Sequence, residues 1–158
     1  MDIIILRKPN FQFSETTKVR LPILIRLVCI FLFVYTAHAK IVDHDRFLKG
    51  LTRVHIINGY ALYISWLVPI IEIIVSLLLL IPQTAKQGLI AFIGVMILFT
   101  GYILSAMIWE PVLPCLCGGA IEKLSWSQHV WFNLAFILLA ILALRLINFI
   151  NIFKKQQK

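Results

Sequence analysis

"LVPIIEIIVSLLLLIPQTAKQGLIAFIGVMILFTGYIL", residues 67–104, carries two charged residues, Glu72 and Lys86. Two apolar runs flank a short turn signal, Pro-Gln-Thr-Ala-Lys-Gln at 82–87. Extended outward, the runs cover about Tyr60–Pro82 and Gly88–Trp109. At about 1.5 Å of helix rise per residue, each reaches roughly 30 Å, the thickness of a bilayer's hydrocarbon layer. The stretch reads as a hairpin of two membrane-crossing helices.

The rest of the chain repeats that pattern. Of its 158 residues, 61% are hydrophobic and 14% charged, against about half and a quarter in soluble domains. Further apolar runs lie at Leu21–Ala39 and His129–Ile150. The expected fold is all-α: an integral-membrane bundle of four helices, residues 21–150, between an N-terminal tail (1–20) and a basic C-terminal tail (151–158). Pro22 opens the first span, where a missing N–H does no harm. Arg26 is expected to snorkel to the headgroups. Between the first two spans, Phe47, Leu48, Leu51 and Val54 share one helical face. This predicts a short amphipathic helix lying on the membrane, with Asp43 or Asp45 as its cap. Ser125 and Gln128 have capping-box spacing and should open the last span. Gly94 and Gly101, seven residues apart, predict a close approach by another helix.

The net charge of +8 comes from basic residues that flank the apolar runs. With no arginine-rich arm or aromatic-basic groove, it argues for topology rather than nucleic-acid binding. Ten lysines and arginines fall on the side of the termini and five on the other. The positive-inside rule therefore puts both termini in the cytoplasm and the 110–128 loop outside, in the periplasm of a bacterial inner membrane. Tyr35, Tyr60, Tyr63, Trp66, Trp109, Trp126 and Trp131 gather at the outer interface, an end that also suits docking. Ala37-His38-Ala39 resembles a signal-peptide cleavage site. Arg26 interrupts the preceding run and the basic stretch is long, so the first span is expected to be retained.

The outer loop contains "LPCLCGG", residues 113–119. Three readings of Cys115 and Cys117 stand: an exchanging dithiol, a structural staple, or a metal clip. Cysteines outside the cytoplasm can form disulfides. A Cys-x-Cys ring is small, and strained exposed disulfides are the labile ones. Gly118 and Gly119 let a partner's backbone come close. Lys123 and His129 are the nearest groups able to favour a thiolate. A closed zinc site wants four ligands, and the loop offers two thiolates, His129 and a poor Glu122. No metal is assigned. Cys29 lies near mid-membrane, more than about 10 Å of helix rise from the pair, and reads as a packing residue.

Glu72 sits near the middle of its span, three residues after Pro69. A carboxyl at that depth is costly and marks a functional position unless it is a packing device. Pro69 frees a carbonyl one turn earlier and makes room for a ligand or water. Lys40 and His38, at the outer end of the first span, either line the same cavity or anchor at the interface. Phosphate loops, HExxH and a Ser-His-Asp arrangement are all missing from the sequence.

Three stretches together resemble the MauE/DoxX family of redox-associated membrane proteins, from about Arg26 to Leu144. They are "FLFVYTAHAKIVDHDRFLKGL" (31–51), "WLVPIIEIIVSLLLL" with its Pro-x-x-Glu at Pro69 and Glu72, and "PCLCGGAIEKLSWSQHVWFNLAFILLAILAL" (114–144), similar to a Cys-x-Cys subgroup. The chain departs where Gly118 follows Cys117 directly, without the subgroup's Phe, and where His38-Ala39 precedes the lysine. The resemblance implies thiol–disulfide chemistry outside the cytoplasm, maturation of an exported disulfide-bearing enzyme, and thioredoxin-like partners.

Two function classes follow. In the first, Cys115 and Cys117 exchange disulfides with an exported partner. No thiol chain crosses the membrane, so a quinone near Glu72, Lys40 and His38 is the acceptor or donor such a pair would need. In the second, the protein is an accessory subunit of a larger membrane complex, its loop held by a disulfide. The spans are too apolar to line a transport path.

Overall fold

The computed structural model describes residues 15–54, 57–109 and 125–156. Within these residues, five α-helices follow in order: α1 (Glu15–Val42), α2 (His44–Thr52), α3 (Ala61–Leu80), α4 (Ala85–Trp109) and α5 (Trp126–Gln156). A single 3-10 turn, Asn58–Tyr60, precedes α3. No strand occurs among the described residues. Among the described residues, four helices are long and apolar enough to cross a membrane, over Arg20–Val42, Asn58–Leu80, Ala85–Ile108 and Ser127–Phe149. The expected all-α, four-span architecture is therefore the one present.

The four long helices form a ring. α1 packs on α3 and α5, and α4 packs on the same two, with little contact across the diagonal. Neighbours run antiparallel, since Arg26 near the start of α1 meets Leu79 near the end of α3. Phe33 and Phe92 pack at 4.4 Å between ring centroids in the core, with Cys29, Leu79 and Leu89 fully buried around them. Cys29 is a free thiol within that apolar cluster. Ala140 and Ala143, also fully buried, let α5 come close. Apolar side chains such as Leu27, Phe31 and Leu138 face outward, as lipid-facing helices require.

The turn joining α3 to α4 is closed with care. The last carbonyls of a helix lack N–H partners and carry the negative end of its dipole. Here Leu77 accepts from the Ile81 N–H and Leu78 from the Thr84 hydroxyl (2.9 Å). Arg26 serves the next two: Nε donates to the Leu79 carbonyl at 3.0 Å, Nη2 to the same oxygen, and Nη2 to Leu80 at 3.3 Å. Arg26 thus caps α3, because a neighbouring helix offers bare carbonyls at its depth. Gly88, the fourth residue of α4, is pressed against α3. An added Cβ would lie 2.8 Å from the Leu79 nitrogen and 2.9 Å from the Leu78 carbonyl carbon. Gly94 and Gly101, expected to meet another helix, instead face outward with open space beside them.

Three further expectations need correction. α1 begins at Glu15, so Pro22 lies inside the helix and not at its start. The helical α2 does carry Phe47, Leu48 and Leu51 on one face, with Val54 two residues past its end, but that face turns to the bundle. Leu51 and Val54 are buried against the protein, because α2 folds over the ring's end and finds a protein surface there before lipid. Asp43 stands at the N-cap of α2 without a side-chain cap bond, its carboxylate lying 3.7 Å from Arg46. The capping box at α5 is present: Gln128 Oε1 accepts from the Ser125 N–H at 2.8 Å, and the Gln128 N–H reaches Ser125 Oγ at 3.4 Å.

Candidate functional site

A cavity of about 220 Å³ lies inside the ring toward the α2 end. Its polar wall is built on α1 and α3. Thr36 and Lys40 are four apart on α1, so they stack on one face. Glu72 enters from α3. Lys40 Nζ lies 2.8 Å from Glu72 Oε1, and the Thr36 hydroxyl lies 3.1 Å from the same oxygen. That hydroxyl also sits 3.0 Å from the Leu32 carbonyl and 3.2 Å from that of Phe33, so its one proton is shared among three acceptors.

The ion pair is withdrawn from solvent. Lys40 is 8% exposed and Glu72 is fully buried. A second N–H of Lys40 faces the Thr36 carbonyl at 3.4 Å. The ammonium also stands over the rings of Phe47 (5.8 Å) and Phe99 (5.6 Å), a cation–π arrangement that substitutes for water. Glu72 Oε2 has no hydrogen-bond partner among the described residues. One acceptor at the cavity wall is therefore left for a ligand.

Across the cavity, α5 contributes His129 and Asn133, again four apart and both buried. Asn133 Nδ2 donates to Thr100 Oγ1 at 3.3 Å, and that hydroxyl donates to the Met96 carbonyl at 2.7 Å. Apart from Tyr102, the remaining wall is apolar: Met96, Phe99, Ile103 and Phe132 among others. Phe47 and Leu51 of α2 form a roof. His44 holds α2 down, stacked on Trp66 at 4.3 Å, with Nε2 3.1 Å from Ser65 Oγ. Ser65 gives its single proton to the Leu62 carbonyl at 2.7 Å, so His44 Nε2 carries the hydrogen in that contact. Pro69, buried one turn further along, leaves the Ser65 carbonyl without its helical N–H.

Of the residues singled out in the sequence, Glu72 and Lys40 come together at this cavity. His38 does not line it. It is exposed, because residues two apart on a helix point to opposite sides. Cys115 and Cys117, with Glu122 and Lys123, lie outside the described residues. The connection that carries them leaves α4 after Trp109 and returns before Ser125. Both points are at the α2 end of the ring, where the cavity is. Tyr60, Tyr63, Trp66 and Trp131 are exposed at that same end. Among the described residues, no group of three or more His, Cys, Asp or Glu could hold a metal ion. Thr36, Asn133 and Phe99 were missed in the sequence, although polar residues four apart in an apolar span, as at Thr36/Lys40 and His129/Asn133, are a usable signal.

Neither a curated protein nor a solved structure matches the chain. Residues 18–146, a stretch that includes Lys40, Glu72 and the loop between α4 and α5, nonetheless match the family described as methylamine utilisation protein MauE, and the chain belongs to that family of membrane proteins.

Proposed function

We propose that the protein is a membrane-bound thiol–disulfide exchange protein acting outside the cytoplasm through Cys115 and Cys117. Membership of a family described by methylamine utilisation supports a role in the redox maturation of an exported partner. The excess of basic residues on the termini's side supports a periplasmic position for the loop. The observation that carries the reading is the attachment of the Cys-x-Cys connection at the α2 end of the ring, beside a buried ionic cavity.

In the exchange, one thiolate attacks a partner disulfide and expels a partner thiolate, leaving a mixed disulfide. The second cysteine then attacks the bonded cysteine's sulfur, releasing the reduced partner and closing the Cys115–Cys117 disulfide. Run in reverse, the same steps oxidise a partner dithiol. The partner is a thioredoxin-like or disulfide-bearing protein. Cys117→Ser removes the resolving thiol and is expected to trap the partner through Cys115 after acid quench and alkylation. A pair that never changes redox state, with full function in the double Ser variant, would remove this reading.

The outward Gly94 and Gly101, with open space beside each, favour a second reading as an accessory subunit of a larger membrane complex. Co-purification of a stable membrane partner in mild detergent, independent of both cysteines, is its expected signature.

A further inference from the structure

We propose that the cavity walled by Lys40, Glu72 and Asn133 binds the ring of a lipid-soluble quinone. The role given to that ring rests on the exchange reading above, whereas its binding does not.

Size is the first constraint. An apolar cavity of about 150 Å³ holds benzene. At about 220 Å³, this one takes a single substituted ring and is too small for a lipid's paired chains. Access is the second. Leu98 lines the cavity and is 71% exposed on the outer face of α4, so the cavity reaches the lipid-facing surface there. Toward the other end of α4, Gly88 packs closely against Leu79 of α3, whose carbonyl Arg26 caps. A ligand enters sideways from the bilayer, and its apolar tail stays there.

Polar chemistry is the third. Quinone carbonyls accept hydrogen bonds, and Lys40 and the Asn133 amide supply donors at the wall. The quinol's hydroxyls donate, and Glu72 Oε2 is a fully buried acceptor with no partner among the described residues. Phe99 and Phe132 add aromatic surface to the wall, which suits a flat ring better than a branched chain.

The electron balance gives the site its use. After oxidising a partner, the protein holds a Cys115/Cys117 dithiol. Two electrons and two protons pass to the quinone, the S–S bond forms, and the quinone becomes quinol. Cys29, the one other cysteine of the chain, is sealed in the core and cannot relay them.

The test uses full-length protein in nanodiscs and decylubiquinone as the probe, with binding read by quenching of tryptophan fluorescence. Saturable binding is expected. Lys40→Met/Glu72→Gln removes both charges together, so no buried ion is left unpaired. It should weaken binding roughly tenfold to a hundredfold, the loss expected for charge-assisted hydrogen bonds. Leu98→Trp, on an exposed position that folding does not need, should weaken it by narrowing the entrance. Absent binding in the unmodified protein, or binding unchanged in both variants, overturns the proposal. Cys115→Ser/Cys117→Ser should bind the quinone normally and form no quinol from it. Trapping by Cys117→Ser reports on exchange alone: a trapped partner without quinone binding sinks the site and leaves the exchange reading standing. Normal binding without a trapped partner does the reverse.

Discussion

Lys40 Nζ and Glu72 Oε1 stand 2.8 Å apart inside the ring, tying the last turns of α1 to the middle of α3. A buried pair of this kind adds little net stability over an apolar pair, yet breaking it strands a charge. Lys40→Met is therefore expected to destabilise the fold by about 3–5 kcal/mol, and adding Glu72→Gln should restore most of that. Denaturant unfolding of the two single variants and the double variant in detergent measures the coupling. Additive losses would show that the two side chains act separately.

Gly88 and Gly94 predict opposite outcomes for one substitution. Gly88→Ala drives a methyl group into the α3 backbone and should cost about 1–3 kcal/mol, the usual range for overpacking. Gly94→Ala meets nothing and should be neutral, or gain up to about 1 kcal/mol from helix propensity. Thermal unfolding of both variants, compared side by side, checks the pair.

Arg26→Met uncovers the Leu79 and Leu80 carbonyls and should cost about 1–3 kcal/mol. Lysine in its place should recover only part, since it lacks the planar fork that spans two carbonyls. Hydrogen exchange at the amides of the Ile81–Thr84 turn, faster in both variants and fastest in Arg26→Met, is the expected local signature.

A membrane-impermeant maleimide, applied from the periplasmic side to reduced spheroplasts, should label Cys115 and Cys117 and leave Cys29 untouched. Cys29 is fully buried in the folded chain. Two labels per chain from that side agree with the charge-derived orientation. Labelling only after the membrane is opened would reverse it.

Serine at position 125 offers a smaller test. Ser125→Ala removes one half of the capping box and should cost about 0.5–2 kcal/mol in α5, read by circular dichroism on heating.

What the sequence made legible was whatever a single helix declares about itself. Span lengths, the Ser125/Gln128 box and the anomaly of Glu72 are local, set by hydropathy and by residue spacing along one axis. The partner of Glu72 is not local. Lys40 and His38 sit at the same depth, and only the rotation of α1 about its axis makes one an ion-pair partner and leaves the other outside. Asn133 and Thr100 meet for the same reason, through a register between α4 and α5 that no periodicity within either helix encodes. α2 shows a related limit: its apolar face is plain in the sequence, but whether that face meets lipid or protein depends on what the ring offers beneath it. Gly88 and Gly94 look equally suited to close contact in the sequence and differ only in which way they face.

The pinch at Gly88 also sets the mechanics of the bundle. With α3 and α4 touching backbone to backbone at one end, any tilt between the two helices would pivot there. Phe99 lies eleven residues along α4 from Gly88, about 17 Å of lever arm by helix rise. A tilt of about 3° at the pivot shifts the cavity wall by about 1 Å over that length. The described part of α4 ends at Trp109, ten residues beyond Phe99, so the same tilt displaces that end of the helix further still.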